Sequence, residues 1–271
     1  LAGIVGDPLA SESDTVTTPA DCASAVTVSG GAGNAEIARA REIAQACGLP
    51  YLPRAEARAP RLLTVERFGV RLSLGGTSLS SHPGMGLVRV RRLVKGAEHD
   101  PLLDLAELPL GGSVLDATFG FGQDALVFAH AVGEHGRVVG LEASPLLAGL
   151  AMGGLRFWPE PAASIVNRIE VRFMNFRAFL AQAPAKSFDV VYFDPMFRKA
   201  RPAAPDFAAL RILAERAPIE PVDIEAAVRV ARRAVIVKDA WPGPEITRLG
   251  FSPRISRRSA EIVYGCLRLM P

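Results

Sequence analysis

The stretch LDATFGFGQDALVFA, Leu115–Ala129, joins two kinds of local order. A short apolar run reaches Asp116, glycines follow at positions 120 and 122, and beyond Gln123 the apolar residues continue as a helix-like run. A strand passing through a glycine turn into a helix is the opening of a β-α-β unit. Gly120 and Gly122 let the backbone approach a ligand, and the free N–H groups of the following helix attract an anion. The stretch predicts an α/β protein with a ligand at this turn.

Downstream, strands and helices alternate. SVLDAT and RVVGLE read as strands around the helix GQDALVFAHAV. SPLLAGLAMGGL places Ser144 at an N-cap and Pro145 at the first helical position. IEVRFMN and FDVVYF read as further strands, PVDIEAAVRVAR as a helix, AVIVK as a fifth strand and SPRISRRSAEIVYGCLRL as a terminal hairpin. Apolar strands in this alternation predict a Rossmann-like, mostly parallel sheet covered on both faces.

Upstream, SAVTVSGG reads as a strand and turn. AEIARAREIAQACGLP reads as a helix with Ile37, Ala40, Ile43, Ala44 and Cys47 on one face, stopped by Gly48 and Pro50. LLTVERFGVRLSL reads as a hairpin turning near Phe68 and Gly69. The expected organisation is a loose tail over residues 1–23, a small α/β extension with a lid or linker over residues 24–100, and the larger domain over residues 101–271. SHPGMG, Ser81–Gly86, reads equally as a lid or a plain loop.

The chain of 271 residues is 49% hydrophobic, enough for a sizeable core. Its 31 basic and 28 acidic residues leave +3, which permits a nucleic-acid partner without requiring one. Cys22, Cys47 and Cys266 are far apart and form no C-x-x-C pair, which fits a reducing compartment. His82, His99, His130 and His135 share no metal-ligand spacing, so no metal is expected. The uncharged apolar stretch Ala143–Leu155 falls short of the about 20 residues that cross a bilayer. The N-terminus shows no basic and apolar leader regions. The expectation is a soluble cytoplasmic protein with no membrane partner.

In a parallel sheet, ligands sit beyond the carboxyl ends of the strands. Glu142 ends the second strand, 20 residues past Gly122, and suits a carboxylate accepting both hydroxyls of a ribose. The loop also meets the loose dinucleotide pattern G-x-G-x-x-A. A dinucleotide would set its pyrophosphate on the helix N-terminus. S-adenosylmethionine has no phosphate and would set its amino and carboxylate groups at the loop. Asp116 favours the second ligand, because a strand-end acid anchors an ammonium and sits badly beside a pyrophosphate. A tight turn with no ligand is the bland alternative.

FDVVYFDPMFRK, Phe188–Lys199, runs an apolar strand into an acid, a proline and an aromatic. Asp194-Pro195-Met196-Phe197 is close to the D/N-P-P-Y/F motif of amino-methyltransferases. The chemistry accounts for these residue types. The lone pair of an exocyclic amine is delocalised into its ring, and the nitrogen attacks a methyl better when its N–H groups are held. The Asp194 carboxylate and the Pro195 carbonyl each accept one N–H, and Phe197 stacks on the flat ring. Such a site works by positioning and electrostatics and needs no strong base. The alternative is an acid that only ends a strand and caps a turn.

LDATFGFGQDALVFA, VVGLEASP, VVYFDPMF, AVIVK and AEIVYG occur in this order. Over roughly residues 25–269 the chain resembles the class I S-adenosylmethionine-dependent methyltransferases related to the small-subunit ribosomal RNA guanine-N2 methyltransferase J family. SHPGMGLVRVRRLVKG and RLGF look closer to a separate bacterial branch of that group. The resemblance implies a seven-stranded sheet with an N-terminal extension. With the loop residues Asp116, Gly120 and Gly122, it implies cofactor contacts at Gln123, Asp124, Glu142, Ala143, Asn175, Phe176 and Asp194. Thr118 stands where many methyltransferases carry their first glycine, and this family also carries Thr there. After D-P-M-F the family has a Lys-rich segment, whereas this chain has RKARPAAPDFAALRILAERAP.

Arg89, Arg91, Arg92 and Lys95 lie close together, Arg198, Lys199 and Arg201 follow D-P-M-F, and Arg254, Arg257 and Arg258 fall in the terminal hairpin. Around one cleft, with Lys238, they would give salt-sensitive phosphate contacts. Ordinary solvated charge explains them equally. A base within folded RNA would be flipped into the pocket. The reading is an N-methyltransferase acting on an exocyclic amino group of a base in RNA. The competing readings are a small-molecule or protein amide acceptor, a non-catalytic nucleotide- or RNA-binding module, and a dehydrogenase.

Overall fold

The computed structural model describes residues 23–195, 213, 217–254 and 261–269. Phe197, Arg198, Lys199, Arg201, Arg257 and Arg258 therefore lie outside the described residues, as does the expected tail over residues 1–22.

The first sheet is built by β1 (Ser24–Val28), β2 (Arg61–Glu66), β3 (Gly69–Leu74) and β4 (Thr77–Ser80), side by side in that order. β1 and β2 are parallel, joined across helix α1 (Asn34–Ala46). β2 and β3 are antiparallel with Glu66 opposite Gly69, so the hairpin turns at Phe68 as its sequence predicts. Ala40, Ile43, Ala44 and Cys47 on α1 are buried against Leu63, Val65 and Val70 of this sheet.

The second sheet has the order β10-β11-β9-β8-β5-β6-β7. Its strands are β5 (Ser113–Asp116), β6 (Arg137–Glu142), β7 (Ile169–Phe173), β8 (Phe188–Phe193), β9 (Ala231–Ala240), β10 (Pro253–Arg254) and β11 (Ile262–Arg268). From β7 through β6, β5 and β8 to β9 all neighbours are parallel. β11 and β10 add on antiparallel, and their connection lies outside the described residues. The chain turns from β5 outward to β6 and β7, then returns to build β8 and β9 on the other side. The strand order reverses between β5 and β8, and an open parallel sheet binds its ligand at such a point.

Period-2 alternation sorts the central strands between two layers. Val114, Val190 and Tyr192 face the helices α2 (Gly84–Val94), α3 (Pro101–Ala106) and α4 (Gln123–Ala131). Leu115, Val191 and Phe193 face α6 (Phe176–Gln182), α7 (Pro221–Val230) and α8 (Pro244–Arg248). α5 (Pro145–Gly154) lies between the two sheets. Its Ala151 joins the core of the larger sheet, and its Leu146, Ala148 and Leu150 join that of the smaller one. A helix covered on both sides is apolar all round, which accounts for the run Ala143–Leu155.

Two local expectations change. The segment read as a lid or loop becomes, from Gly84 on, the first turn of α2. Leu87 and Val90 bury it against α4, and a Cβ on Gly86 would fall 2.3 Å from the Gln123 carbonyl oxygen. Glycine here serves a close helix crossing instead of a hinge. The helix expected through Arg232 stops at Val230, because β9 begins at Ala231 and runs ten residues. No helix among the described residues is long and apolar enough to cross a membrane.

Candidate cofactor and catalytic site

The carboxyl ends of β5, β6 and β8 meet at the reversal point. The loop leaving β5 is stitched to both neighbours. Ala117 N–H donates to the Tyr192 carbonyl at 2.8 Å, and Phe119 N–H donates to the Leu141 carbonyl at 2.9 Å. The Phe119 ring fills a notch left by two glycines. A Cβ on Gly122 would fall 2.3 Å from that ring, and one on Gly140 would fall 2.0 Å from it. Gly122 also needs its freedom for φ 72°, just before α4 begins. Gly120, at φ 55°, differs: nothing lies within 4 Å of where its Cβ would be. It is the open shoulder of the loop.

Glu142, 7% exposed, closes this shoulder from β6. Its Oε2 accepts the Gly120 N–H at 2.9 Å, and its Oε1 accepts the Ser144 N–H at 2.8 Å. Ser144 holds the N-cap position of α5, but its side chain makes no capping bond. The two backbone donors fix the plane of the carboxylate. Ala143, half-buried, sits between them. Gly120 and Glu142 are thus brought together, with Ala143, expected from the resemblance, beside them.

Behind the loop lies a cluster of charges. Asp124, in the first turn of α4, accepts from Arg89 through Oδ1. Its Oδ2 accepts from the Tyr192 hydroxyl at 2.7 Å and the Lys238 ammonium at 2.8 Å. Lys238 also donates to Asp194 Oδ2 at 2.7 Å. Arg89 binds Asp100 in a fork, at 2.8 and 2.6 Å, while Asp100 caps α3.

Burial alone would raise the Asp124 carboxyl, but Lys238 and Arg89 outweigh it and hold it below the usual range. Asp116, 2% exposed, goes the other way: burial, then the Asp124 charge, push it well above the usual range and outweigh the lowering effects of the Thr118 N–H and Lys238. Burial also raises Asp194, with Lys238 opposing and Asp124 adding to the rise. Burial works against the Lys238 ammonium, yet Asp194 and Asp124 hold its pKa above the ordinary value.

Asp194 N–H donates to Thr118 Oγ1 at 2.6 Å, which brings the end of β8 onto the loop, and Pro195 follows half-buried. Several residues expected at the ligand have partners within the fold. Gln123 Oε1 accepts the Met85 N–H at 3.0 Å, and Asp124 is engaged by its three donors, because α2 and β9 close over the start of α4. Asn175 caps α6 through the Arg177 N–H at 2.9 Å. Phe176 packs edge-on against Phe193 with ring centres 5.4 Å apart. Both are accounted for by folding. Arg89 and Lys238, expected among RNA contacts, are internal ions. Arg91 and Arg92 remain exposed on α2, with Arg91 donating to the Glu160 carbonyl at 3.3 Å.

The ion chain itself escapes the sequence reading. Its signal is Lys238 at the end of the apolar AVIVK strand, since a buried cation demands acidic partners. Around the loop, the carboxylates Asp116, Asp124, Glu142 and Asp194 outnumber the cations Arg89 and Lys238. That donor set repels a pyrophosphate and suits a ligand with an ammonium and ribose hydroxyls.

Comparison with known proteins agrees. The family model described as "Putative SAM-dependent methyltransferase" matches residues 85–256. The chain is 34% identical over 248 residues to the protein YpiP of Bacillus subtilis (strain 168), spanning 87% of this chain and 95% of that one. It is 32% identical over 223 residues to ribosomal RNA small subunit methyltransferase J of Nitrosococcus oceani, spanning 75% and 84%. The crystal structure of the SAM-dependent methyltransferase NGO1261 from Neisseria gonorrhoeae shares the fold, with a TM-score of 0.61 at 22% identity over 90% of this chain and 95% of that one. The chain belongs to the class I S-adenosylmethionine-dependent methyltransferases, in the group related to ribosomal RNA small subunit methyltransferase J, and S-adenosylmethionine is its cofactor.

Proposed function

We propose that this methyltransferase modifies an exocyclic amino group of a base in ribosomal or other RNA, with guanine among the candidate acceptors. The observation that carries the reading is the double fixing of Asp194. Its N–H is bonded to Thr118 and its Oδ2 to Lys238, at the strand end beside the cofactor loop. The name of the Nitrosococcus oceani relative supports ribosomal RNA as the substrate class.

Glu142 accepts the ribose hydroxyls, Gly120 provides the open shoulder, and Asp116 takes the ligand's ammonium. S-adenosylmethionine supplies the methyl group from a sulfonium, whose sulfur keeps the electron pair of the broken C–S bond. Asp194 and the Pro195 carbonyl hold the two N–H groups of the acceptor amine. The nitrogen lone pair then forms the new N–C bond, and the proton released passes to Asp194. Burial raises that carboxyl, which makes it a better acceptor for the proton. Phe197, outside the described residues, stacks on the base in this proposal, with Arg91, Arg92, Arg198 and Lys199 as phosphate contacts. Ribosomal RNA as acceptor places the reaction in the cytoplasm.

The test gives the purified enzyme small-subunit ribosomal RNA and methyl-labelled cofactor. The expected result is label in the RNA, with turnover falling steeply as salt rises. Asp194→Ala abolishes incorporation while cofactor binding persists. Label entering protein or small molecules but never RNA overturns the substrate class.

A further inference from the structure

We infer that Lys238 is a positioning residue for methyl transfer, holding the Asp194 carboxylate in place for the acceptor amine while being anchored itself, through Asp124, by Arg89 and Asp100. This inference rests on the reading of Asp194 as the group that receives the amine.

The geometry is a chain of alternating charges. It runs from Asp194 to Lys238 at 2.7 Å, from Lys238 to Asp124 at 2.8 Å, then through Arg89 to the Asp100 fork at 2.6 and 2.8 Å. It draws on the end of β8, on β9, α4, α2 and the cap of α3. The Lys238 side chain is 14% exposed and that of Asp194 is 30% exposed, so the chain opens to solvent at its catalytic end. With its ammonium committed to two carboxylates, Lys238 is poorly disposed to contact RNA.

Stability does not explain such a chain. Two buried charges lose hydration that their attraction roughly repays, and apolar side chains of similar volume often serve as well. An apolar residue in the AVIVK strand could not hold a carboxylate at a fixed angle. Asp194 stands past the last residue of β8, whose final register pair is Phe193 with Val237, and Lys238 is the next residue of β9. Thr118 fixes its backbone and Lys238 fixes its carboxylate, which is the preorganisation a reaction run by positioning requires.

The charged and titratable groups facing Asp194 are Lys238 from β9, Asp124 from α4, Asp116 from β5, Tyr192 from its own strand and Tyr264 from β11, with Arg89 of α2 behind Asp124. Among the described residues, Lys238 is the cation in direct contact. Without it, Asp194 and Asp124 confront each other as two carboxylates and bind a proton more tightly.

The experiment compares full-length Lys238→Met and Lys238→Arg with the parent enzyme. The expected result for Lys238→Met is cofactor affinity close to the parent's and kcat on RNA lower by roughly 100-fold, the scale of a misplaced catalytic group. The acid limb of its rate profile moves to higher pH, and Lys238→Arg recovers part of the loss. Independently of any acceptor, carboxyl-carbon NMR shows Asp194 titrating at higher pH in Lys238→Met. Should Lys238→Met fail to fold, the pair Lys238→Met with Asp124→Asn removes the unpaired acid, and its kcat on RNA, set against its cofactor affinity and that of Asp124→Asn alone, decides the role in place of the titration. A parent-like kcat, rate profile and Asp194 titration overturn the positioning role. Full activity in Asp194→Asn overturns the underlying assignment of Asp194 instead, so the two failures are distinct.

Discussion

The backbone N–H of Asp194 donates to the Thr118 hydroxyl at 2.6 Å, so a loop side chain fixes where β8 ends. Thr118→Val keeps the shape and removes the acceptor. An unmade hydrogen bond at a part-buried donor costs about 1–3 kcal/mol. The expected outcome in urea denaturation is a loss of that size. The expected kinetic outcome is a lower kcat with near-parental cofactor affinity, and Thr118→Ser restores both.

The two loop glycines separate folding from binding. Alanine at either position carries the roughly 1–2 kcal/mol strain of a left-handed residue. At Gly122 the new Cβ also strikes the Phe119 ring, whereas at Gly120 it enters open space. Gly122→Ala should therefore melt well below Gly120→Ala. Gly120→Ala should melt a few degrees below the parent, from the backbone strain alone, and show little thermal shift on adding S-adenosylmethionine.

Glu142→Gln replaces one carboxylate oxygen by an amide donor that faces either Gly120 N–H or Ser144 N–H. Hydrogen bonds to charged groups contribute about 1.5–3 kcal/mol, so calorimetric cofactor affinity should fall by roughly tenfold or more. An unchanged affinity would remove Glu142 from the ribose site.

Asp116 and Asp124 make opposite contributions to stability as pH changes. The folded pKa of Asp116 lies above its unfolded value of about 3.9. Its contribution is present below the unfolded pKa and is lost as pH rises through the folded one, so the buried carboxyl makes the fold less stable at neutral pH than at acid pH. Asp124 is depressed; its contribution is present above about 3.9 and is lost as pH falls through its folded pKa. Asp116→Asn should raise the melting temperature at neutral pH while weakening cofactor binding. Asp124→Asn should lower the melting temperature at the same pH. Thermal melts across a pH series check both signs.

Much of this was legible in the sequence because it is local. Gly120, Gly122 and Glu142 lie within one β-α-β unit, where spacing alone sets them together. The apolar run Ala143–Leu155 was visible, but its cause was not: only the packing of a second sheet on α5 explains it. Ser81–Gly86 misled because a glycine at a helix crossing and a glycine in a lid look alike in one dimension. Gln123, Asp124, Asn175 and Phe176 were placed by resemblance, and in each the local environment supplies a folding role. Lys238 stands among the expected RNA contacts because its partners, Asp124 and Asp194, are 114 and 44 residues away along the chain.

The Phe119 ring, wedged against Gly122 and Gly140, has a kinetic consequence. The loop owes its shape to a plug supplied by its own chain, so its ordering entropy is spent during folding rather than on encounter. The cofactor then meets a finished surface. Its association should proceed as a single exponential whose rate grows linearly with concentration, with no slow phase of loop closure.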